Sequence, residues 1–416
     1  MKFTATLLSL AAATTLLVVE AQHPAGTAIP LSLNPHHKRN FRAAIAKLNA
    51  RYPQLDLESH HTFHPPGSTP ANSGARDRGA GSGTVPLVDV GTDSEYYGTV
   101  LVGTPGQPFR LDFDTGSSDI WFPTSDCNTK ACKAHHRFNA KKSSTYKKDG
   151  RPWRIGYGDG SNASGILASD IVSVGGIKVR QTIGLATNES AQFATSPEDG
   201  LFGLGFNTIE SVKGVKTFLD NAIAAKAIAQ PVVSVFLPSV RRNGGKGGNY
   251  LFGAIDKTRF TGALSYIPVT RKGYWQIHIS DAKYNNKSLT QASEGIIDTG
   301  TTLIIVGDAV AKAIHSSIPG AIDSSKDPNI GGWTVPCSLA KTSKDNIAFT
   351  MGGKDFQVPV ADLAWAPLDN TGKQCYSGVQ GGQNGLWILG DVFIKNNYCV
   401  FEQSASPRIG VAPLKY

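Results

Sequence analysis

The chain carries the sequence Leu-Asp-Phe-Asp-Thr-Gly-Ser-Ser at positions 111–118, followed at once by Asp-Ile-Trp at 119–121. A second copy of the pattern, Ile-Ile-Asp-Thr-Gly-Thr-Thr, occupies positions 296–302. In both copies apolar residues lead into Asp-Thr-Gly, which is typical of a buried strand that ends at a glycine turn. A buried carboxylate is costly unless it is hydrogen-bonded or paired. The two copies therefore predict that Asp114 and Asp298 are partners.

Each copy also has a matching companion further along the chain. An apolar pair followed by glycine ends at Gly203 after the first copy and at Gly390 after the second, at almost the same distance behind the two aspartates. One Asp-Thr-Gly alone would indicate an ordinary turn. Two copies with matched companions indicate an internal duplication.

The sequence around these motifs predicts an all-β protein. From Thr84 onward, short apolar runs alternate with Gly, Asn, Asp and Pro, and the chain holds 45 glycines in 416 residues. Such spacing is typical of many short strands. Convincing helical patterns are confined to residues 214–229 and 308–318. Two β lobes fit a chain of this length with so many short predicted strands better than one domain does.

The paired motifs resemble those of the pepsin-like aspartic proteases, most closely the fungal rhizopuspepsin group, from about residue 83 to residue 416. The resemblance implies a bilobal fold whose lobes, 84–262 and 263–416, are related by a pseudo-twofold, with the active site in the cleft. It implies an aspartic-type endopeptidase that requires no metal and no cofactor. Two carboxylates sharing a site, as in this family, hold one proton between them over an acidic range. In that state the ionised carboxylate can take a proton from a water molecule, and the water can then attack a peptide carbonyl.

The resemblance also assigns the residues that support the pair. Thr115 and Thr299 would bond across to the opposite loop and clamp the aspartates. The hydroxyls of Ser117 and Thr301 would bond the outer carboxylate oxygens. The glycines of the two Asp-Thr-Gly turns, Gly116 and Gly300, complete the set of residues predicted to support the aspartates.

A hairpin at residues 155–161 contains a tyrosine among glycines, and on its own this pattern indicates only a hairpin tip. By resemblance it is the mobile flap that closes over substrate and excludes water. Tyr157, followed by Gly158 and Asp159, would cover the pocket and bond Trp121. The remaining predicted pocket residues are Asp112, Ile120, Phe193, Leu201 and Thr302, with Gly300 beside Thr302.

Asp159 has two interpretations. It could accept a hydrogen bond from a substrate lysine, as resemblance to fungal members with the same acid suggests, or it could merely shape the hairpin turn. Large apolar residues beside the scissile bond are expected in either case.

The N-terminal region predicts a secreted zymogen. Residues 1–21, with Lys2 and an apolar run at 7–19, have the form of a signal peptide. Residues 22–83 form a basic segment with a helical apolar face, then a Pro/Gly/Ser-rich linker from position 65. Such a basic helix can also indicate a membrane surface. Before a domain of this family it resembles a propeptide whose cations occupy the acidic cleft until acid releases them.

The chain has five cysteines. The family pattern implies the disulfides Cys127–Cys132 and Cys337–Cys375, and secretion makes their oxidation plausible. Cys399 is left over and predicts a buried thiol on a strand. Glycosylation sequons begin at Asn162, Asn188 and Asn286.

The formal net charge is +9. Because the cations are scattered, with the densest run at 241–246 in a predicted loop, we interpret them as a solvated surface and expect no nucleic-acid partner. The expected partners are peptide and protein substrates, pepstatin-type inhibitors and the chain's own propeptide. We expect a monomer that does not bind membranes.

Other enzyme classes are less consistent with the sequence. It lacks His-Glu-x-x-His and Gly-x-Ser-x-Gly, the common zinc and serine hydrolase signatures. His135 and His136 are adjacent and make a poor metal pair. A glycosidase with two carboxylates would not explain the duplication. The serious alternative is a binding protein on the same fold that has lost catalysis. Such a protein usually lacks an aspartate, the flap tyrosine or a supporting hydroxyl, and this chain has all of them.

Overall fold

The computed structural model describes residues 81–89, 93, 95–157, 161–245, 247–289, 292–327, 330–382 and 385–416. The predicted signal peptide and nearly all of the predicted propeptide and linker lie outside the described residues. The flap-tip residues Gly158 and Asp159 also lie outside them.

The described chain is built mostly from short strands, which confirms the all-β prediction. The strands before residue 260 are β1 (Gly83–Asp89), β2 (Tyr96–Val102), β3 (Gln107–Asp114), β4 (Ile120–Pro123), β5 (Lys147–Gly156), β6 (Asn162–Val174), β7 (Ile177–Glu189), β8 (Gly200–Gly203), β9 (Val232–Phe236) and β10 (Asn249–Phe252). Those after residue 260 are β11 (Ser265–Pro268), β12 (Arg271–Lys272), β13 (Trp275–Ile279), β14 (Asp281–Tyr284), β15 (Lys287–Ser288), β16 (Ser293–Ile297), β17 (Ile304–Ile305), β18 (Ile322–Ser324), β19 (Gly332–Pro336), β20 (Asn346–Met351), β21 (Lys354–Pro359), β22 (Ala364–Pro367), β23 (Gln374–Ser377), β24 (Val379–Gln380), β25 (Leu386–Leu389), β26 (Asn397–Glu402) and β27 (Arg408–Pro413).

The helices are few and short. The α-helices of the described residues are α1 (Lys130–Ala134), α2 (Phe218–Ala224), α3 (Val240–Asn243), α4 (Asp308–Ser316), α5 (Leu339–Thr342) and α6 (Asp391–Ile394). The 3-10 turns are Ala140–Lys142, Ala191–Thr195, Asn207–Ile209 and Val360–Leu363. The helix predicted from residue 214 begins only at Phe218, because Thr217 and Asp220 form a capping box that sets its start.

The largest sheet joins the two halves of the chain. Its strand order is β11-β27-β26-β9-β10-β1-β2-β3-β8-β4-β7-β6-β5. The junction lies between β26 and β9, where Val400 pairs with Ser234. The rest of the second half forms one six-stranded and two four-stranded sheets. The fold is therefore bilobal, with a sheet that runs from one lobe into the other.

The internal duplication is visible as two matching strand arrangements. β3 runs parallel to β8, so that Asp114 lies opposite Gly203. In the second half β16 runs parallel to β25, and Ile297 lies opposite Leu389. Each companion strand also pairs antiparallel with the strand that follows the aspartate, β4 in the first half and β17 in the second. The apolar pairs that precede Gly203 and Gly390 in the sequence thus lie on β8 and β25, the strands that support the two aspartate loops.

The two companion glycines are required by close approach of those loops. A Cβ atom on Gly203 would lie 2.3 Å from the carbonyl carbon of Ser118, and one on Gly390 would lie 2.1 Å from the carbonyl oxygen of Thr301. These separations are far below van der Waals contact. Glycine is the residue type that lets the two backbones meet.

Aromatic residues fill the core beneath the first aspartate loop. The Phe113 ring stacks on Phe202 and on Tyr250, with ring centroids 4.7 and 4.9 Å apart. The Tyr250 hydroxyl donates to the Phe113 carbonyl oxygen at 2.8 Å. Full burial of such rings contributes roughly 2–3 kcal/mol each to the stability of the fold. The strand that ends at Asp114 is therefore firmly anchored in the core.

The basic run at 241–246 differs from the solvated loop that we predicted. Its first residues lie in α3, and the guanidinium groups of Arg241 and Arg242 contact Asp362 at 2.7 and 3.0 Å. Burial alone would raise the pKa of Asp362, but Lys395, Arg242 and Arg241 outweigh it and lower that pKa. These arginines therefore compensate a carboxylate that is 4% exposed.

Both predicted disulfides are present, Cys127–Cys132 and Cys337–Cys375. Cys399 is fully buried on β26, and burial raises the pKa of its thiol, as expected of an inert side chain. No helix within the described ranges is long and apolar enough to cross a membrane.

Candidate active site

The first aspartate loop begins where β3 ends, and it holds a fully buried carboxylate. Asp114 is 0% exposed. The backbone N–H of Gly116 donates to its Oδ1 at 2.8 Å, and the hydroxyl of Ser117 donates to its Oδ2. Both oxygens of Asp114 are thus hydrogen-bonded from within its own loop, which offsets the cost of burying the charge.

The second loop repeats this arrangement atom for atom. Asp298 follows β16 and is also 0% exposed. Its Oδ1 accepts from the backbone N–H of Gly300 at 3.0 Å, and its Oδ2 accepts from the hydroxyl of Thr301. The Ser and Thr hydroxyls at the matching positions bond the carboxylates as the resemblance implied.

The two loops are joined by reciprocal threonine bonds. The backbone N–H of Thr115 donates to Oγ1 of Thr299 at 3.0 Å, and the N–H of Thr299 donates to Oγ1 of Thr115 at 3.0 Å. Each hydroxyl then donates to a backbone carbonyl of the opposite strand, Thr115 to Ile297 at 2.9 Å and Thr299 to Phe113 at 2.6 Å. Because each threonine directly follows its aspartate, this clamp holds the two aspartate loops in contact.

Tyr157, the tyrosine of the predicted flap, is hydrogen-bonded to the predicted partner. Nε1 of Trp121 donates to the Tyr157 hydroxyl at 2.6 Å, and the backbone N–H of Tyr157 donates to the Ser161 carbonyl at 2.8 Å across the hairpin. Tyr157 is buried to 9% exposure among apolar side chains that include Phe193 and Leu201. The structure therefore brings together Tyr157, Trp121, Phe193 and Leu201.

Ile120 does not join this cluster. It is 2% exposed in the main core, whereas its neighbour Trp121 packs with Tyr157, Phe193 and Leu201 in a separate group, here called the flap cluster. Side chains alternate along a strand, so consecutive residues of β4 occupy opposite faces. Asp112 is 5% exposed and lies opposite Leu201 of β8. Thr302 is half-buried, and its carbonyl accepts from the Val392 N–H at 3.0 Å.

Sequence reasoning missed a second group of residues, which packs against Trp121. Nε1 of Trp153 donates to Oδ1 of Asp119 at 2.8 Å, and the Trp153 ring lies 5.9 Å from that of Trp121. The N–H and hydroxyl of Ser211 donate to the other Asp119 oxygen at 3.1 and 3.0 Å. A signal was available, because Trp153 lies on β5, which leads directly into Tyr157, and alternate residues of a strand share a face.

The three sequons differ in exposure. Asn188 and Asn286 are exposed, whereas Asn162 is half-buried and its backbone N–H donates to Oγ of Ser190 at 3.0 Å. Within the described ranges, no group of three or more His, Cys, Asp and Glu side chains is placed to hold a metal ion.

Comparison with known proteins agrees with this geometry. A family model described as eukaryotic aspartyl protease matches residues 95–414. Rhizopuspepsin-1 of Rhizopus niveus is 41% identical over 418 residues, covering 100% of both chains. Syncephapepsin of Syncephalastrum racemosum is 41% identical over 421 residues, again covering 100% of both. Rhizopuspepsin of Rhizopus chinensis is 41% identical over 388 residues, covering 93% of this chain and 92% of that protein.

Proposed function

The chain belongs to the eukaryotic aspartyl protease family and is an aspartic-type endopeptidase, and on that premise we propose that it is a secreted acid enzyme made as a zymogen. The observation that carries the acid chemistry is the pair of matching buried carboxylates, Asp114 and Asp298, in loops joined by reciprocal threonine bonds. Secretion and a zymogen form are supported by the signal-peptide and propeptide patterns of residues 1–83. We assign the catalytic role to these two residues.

In the proposed mechanism the pair holds one proton. Two neighbouring carboxylates resist double ionisation, so in acid one is ionised and the other is protonated. The ionised carboxylate takes a proton from a water molecule, whose oxygen bonds to the peptide carbonyl carbon. The protonated carboxyl donates to the carbonyl oxygen as it gains charge. The carboxyl that took the water's proton then gives it to the amide nitrogen, while the other carboxylate takes a proton from a hydroxyl of the tetrahedral intermediate. The carbon–nitrogen bond breaks to leave a carboxylic acid and an amine, and the pair again holds one proton.

The direct test is hydrolysis of haemoglobin in acid by the processed protein, with and without a pepstatin-type inhibitor. Inhibitable cleavage is expected. A folded, processed protein with no inhibitable activity would instead favour the alternative of a binding protein that has lost catalysis.

Activation is expected to be acid-triggered and carried out by the protein itself. At neutral pH the basic segment at residues 38–51 would face ionised carboxylates, and acid removes those partners by protonating them. The full-length protein should therefore be stable near neutral pH and be cleaved within residues 65–84 when acidified. Gel electrophoresis followed by N-terminal sequencing measures this. An Asp114→Asn precursor that shortened equally fast, with no other protease present, would show that the cleavage is not its own.

The preference for residues before the scissile bond follows from the flap cluster. Tyr157, Phe193 and Leu201 supply apolar walls, so we expect large apolar side chains there. We also propose that Asp159 accepts a hydrogen bond from a substrate lysine whose methylenes lie along those walls.

Asp159→Thr is then expected to lower kcat/KM for peptides with Lys before the scissile bond by about tenfold, the loss of one charge-assisted bond. Peptides with Phe or Leu at the same position serve as the control and should be cleaved at the wild-type rate. An equal fall for both substrate classes would mean that the carboxylate only shapes the flap.

A further inference from the structure

The segment from Glu189 to Asp199, here called the pocket-wall segment, connects β7 to β8 and carries Phe193. The Phe193 ring meets Trp121 and Tyr157 edge-on, with centroids 5.2 and 6.1 Å apart. The segment is mostly irregular, with one 3-10 turn at Ala191–Thr195. Its position must therefore be held by contacts from elsewhere in the fold.

Part of this support comes from two adjacent histidines that the proposed chemistry does not use, alongside the bonds between Ser190 and the backbone of Asn162. His135 caps the C-terminus of α1, which packs on the 3-10 turn. Its Nδ1 lies 3.4 Å from Oε2 of Glu189, and its Nε2 lies 3.2 Å from the carbonyl oxygen of Ser196. One imidazole thus bridges the residues on either side of Phe193.

His136 holds the far end of the same segment. Its backbone N–H donates to Oδ1 of Asp199 at 2.9 Å, and its Nδ1 lies 3.0 Å from Oδ2. Arg110 also contacts Asp199, at 3.0 Å. Asp199 thus has a guanidinium partner, which stays charged throughout this range, in addition to His136. The middle of the segment is held by His135.

The bridge made by His135 depends on a proton. Both of its ring nitrogens face oxygen atoms that accept hydrogen bonds, and a neutral imidazole has only one N–H. With one more proton shared between His135 and Glu189, both bonds form. Without it, a nitrogen lone pair faces an oxygen lone pair in a site where the two side chains are 2% and 0% exposed. Such an uncompensated contact is costly when buried.

We propose that His135 is a positioning residue for substrate binding: its protonated bridge to Glu189 and Ser196 holds Phe193 against the flap cluster in acid and releases it toward neutral pH. The inference rests on the proposed function, because it assumes that Phe193 lines the substrate pocket.

The electrostatic surroundings favour the protonated form. Burial acts to lower the pKa of His135, but the hydrogen bond and charge of Glu189, with Asp199 beyond it, outweigh burial and raise that pKa above its ordinary value. Arg110 and His136 lie beyond Asp199, and Glu198 is its neighbour in sequence. Oε1 of Glu189 has no hydrogen-bond partner among the described residues, so its buried charge is compensated through His135.

The sign of the pH effect follows from that raised pKa. The stabilisation of the segment is fully present below about pH 6.5, the ordinary pKa of histidine, and is lost as the pH rises through the higher folded value. An enzyme that works in acid would thus have its pocket wall ordered in the range where its carboxylate pair is active.

The test measures peptide affinity, with turnover removed by an Asp114→Asn background whose precursor is first cut within residues 65–84 by an added protease, because this variant is not expected to process itself. The Kd of a peptide with Phe before the scissile bond is followed by fluorescence between about pH 4 and pH 8. We expect Kd to rise roughly tenfold across the titration of His135, the effect of losing one hydrogen bond to a charged group. His135→Gln should remove this step. Glu189→Gln should move the step to lower pH, because the neutral amide no longer raises the histidine pKa.

His278→Gln is the matched control, since His278 forms an exposed pair with Glu294 at 3.3 Å on another sheet. It should keep the wild-type step. NMR titration of the His135 ring, compared between wild type and Glu189→Gln, detects the proton directly even if a variant binds poorly.

A wild-type step that survived in His135→Gln, or a His135 titration unchanged by Glu189→Gln, would overturn the proposal. Failure of the wild-type protein to cleave peptides would instead refute the proposed function, and the NMR result would still decide whether His135 carries the proton.

Discussion

Asp114→Asn and Asp298→Asn, each freed of its propeptide by an added protease, are expected to reduce peptide hydrolysis about a thousandfold, within the roughly hundredfold to ten-thousandfold by which positioned proton transfer accelerates reactions. The amide is nearly the same size as the carboxylate, so packing is preserved. It cannot accept the water's proton or share one with its partner. The rate is measured on a haemoglobin or peptide substrate in acid, with circular dichroism to show that each variant is folded.

Asp369→Asn is the matched control, because Asp369 is exposed and its carboxylate accepts only local bonds among the described residues, from the N–H and hydroxyl of Thr371 and from the N–H of Gly372. It should be as active as wild type. If either active-site variant stayed within about tenfold of wild type, a loss under ~1.4 kcal/mol, the assignment of the pair would fail.

Gly390→Ala is expected to have the next largest effect, although the residue bears no chemistry. The new Cβ would lie 2.1 Å from the Thr301 carbonyl oxygen, which accepts from the Asp391 N–H at 2.8 Å. Overpacking of this kind costs about 3 kcal/mol. Moving Thr301 also moves its hydroxyl away from Asp298, and a displacement of about 1 Å can lower activity roughly a hundredfold. Urea unfolding and kcat/KM measure the two effects.

Gly273→Ala is the control, since its Cβ would meet Ile209 at 3.4 Å and Thr208 at 3.9 Å, both ordinary contact distances. This variant should keep wild-type stability and activity. A Gly390→Ala variant that was as stable and as active as the control would mean that the loop can move aside freely, and that the close approach does not position Asp298.

Much of the active site could be predicted because its determinants are local. The apolar run before each Asp-Thr-Gly predicts a strand, the glycine predicts a turn, and the hydroxyl three residues after each aspartate lies within reach of it. The structure confirms these bonds in both loops. The duplication was also readable, since repeated sequence folds into repeated structure.

The pairing of the two halves lay beyond local reasoning. Resemblance implied the threonine clamp between Thr115 and Thr299, but no property of either segment alone specifies a bond between residues so far apart. The same is true of the sheet in which β26 pairs with β9, and of the pairs that Arg241 and Arg242 form with Asp362. These contacts depend on how the whole chain closes.

The sequence by itself determined the all-β class, the duplicated aspartate loops, the hydroxyls that bond them and the disulfide pairs, because these follow from local pattern or from family resemblance. Tertiary structure alone decided that Ile120 belongs to the main core, that Asp119 holds Trp153, and that His135 bridges the segment around Phe193. The physical reason is that a side chain's partner depends on which distant backbone the fold brings beside it. The alternation of side chains along a strand predicts on which side of the sheet a residue lies. The packing of the lobes decides which side chains it contacts there.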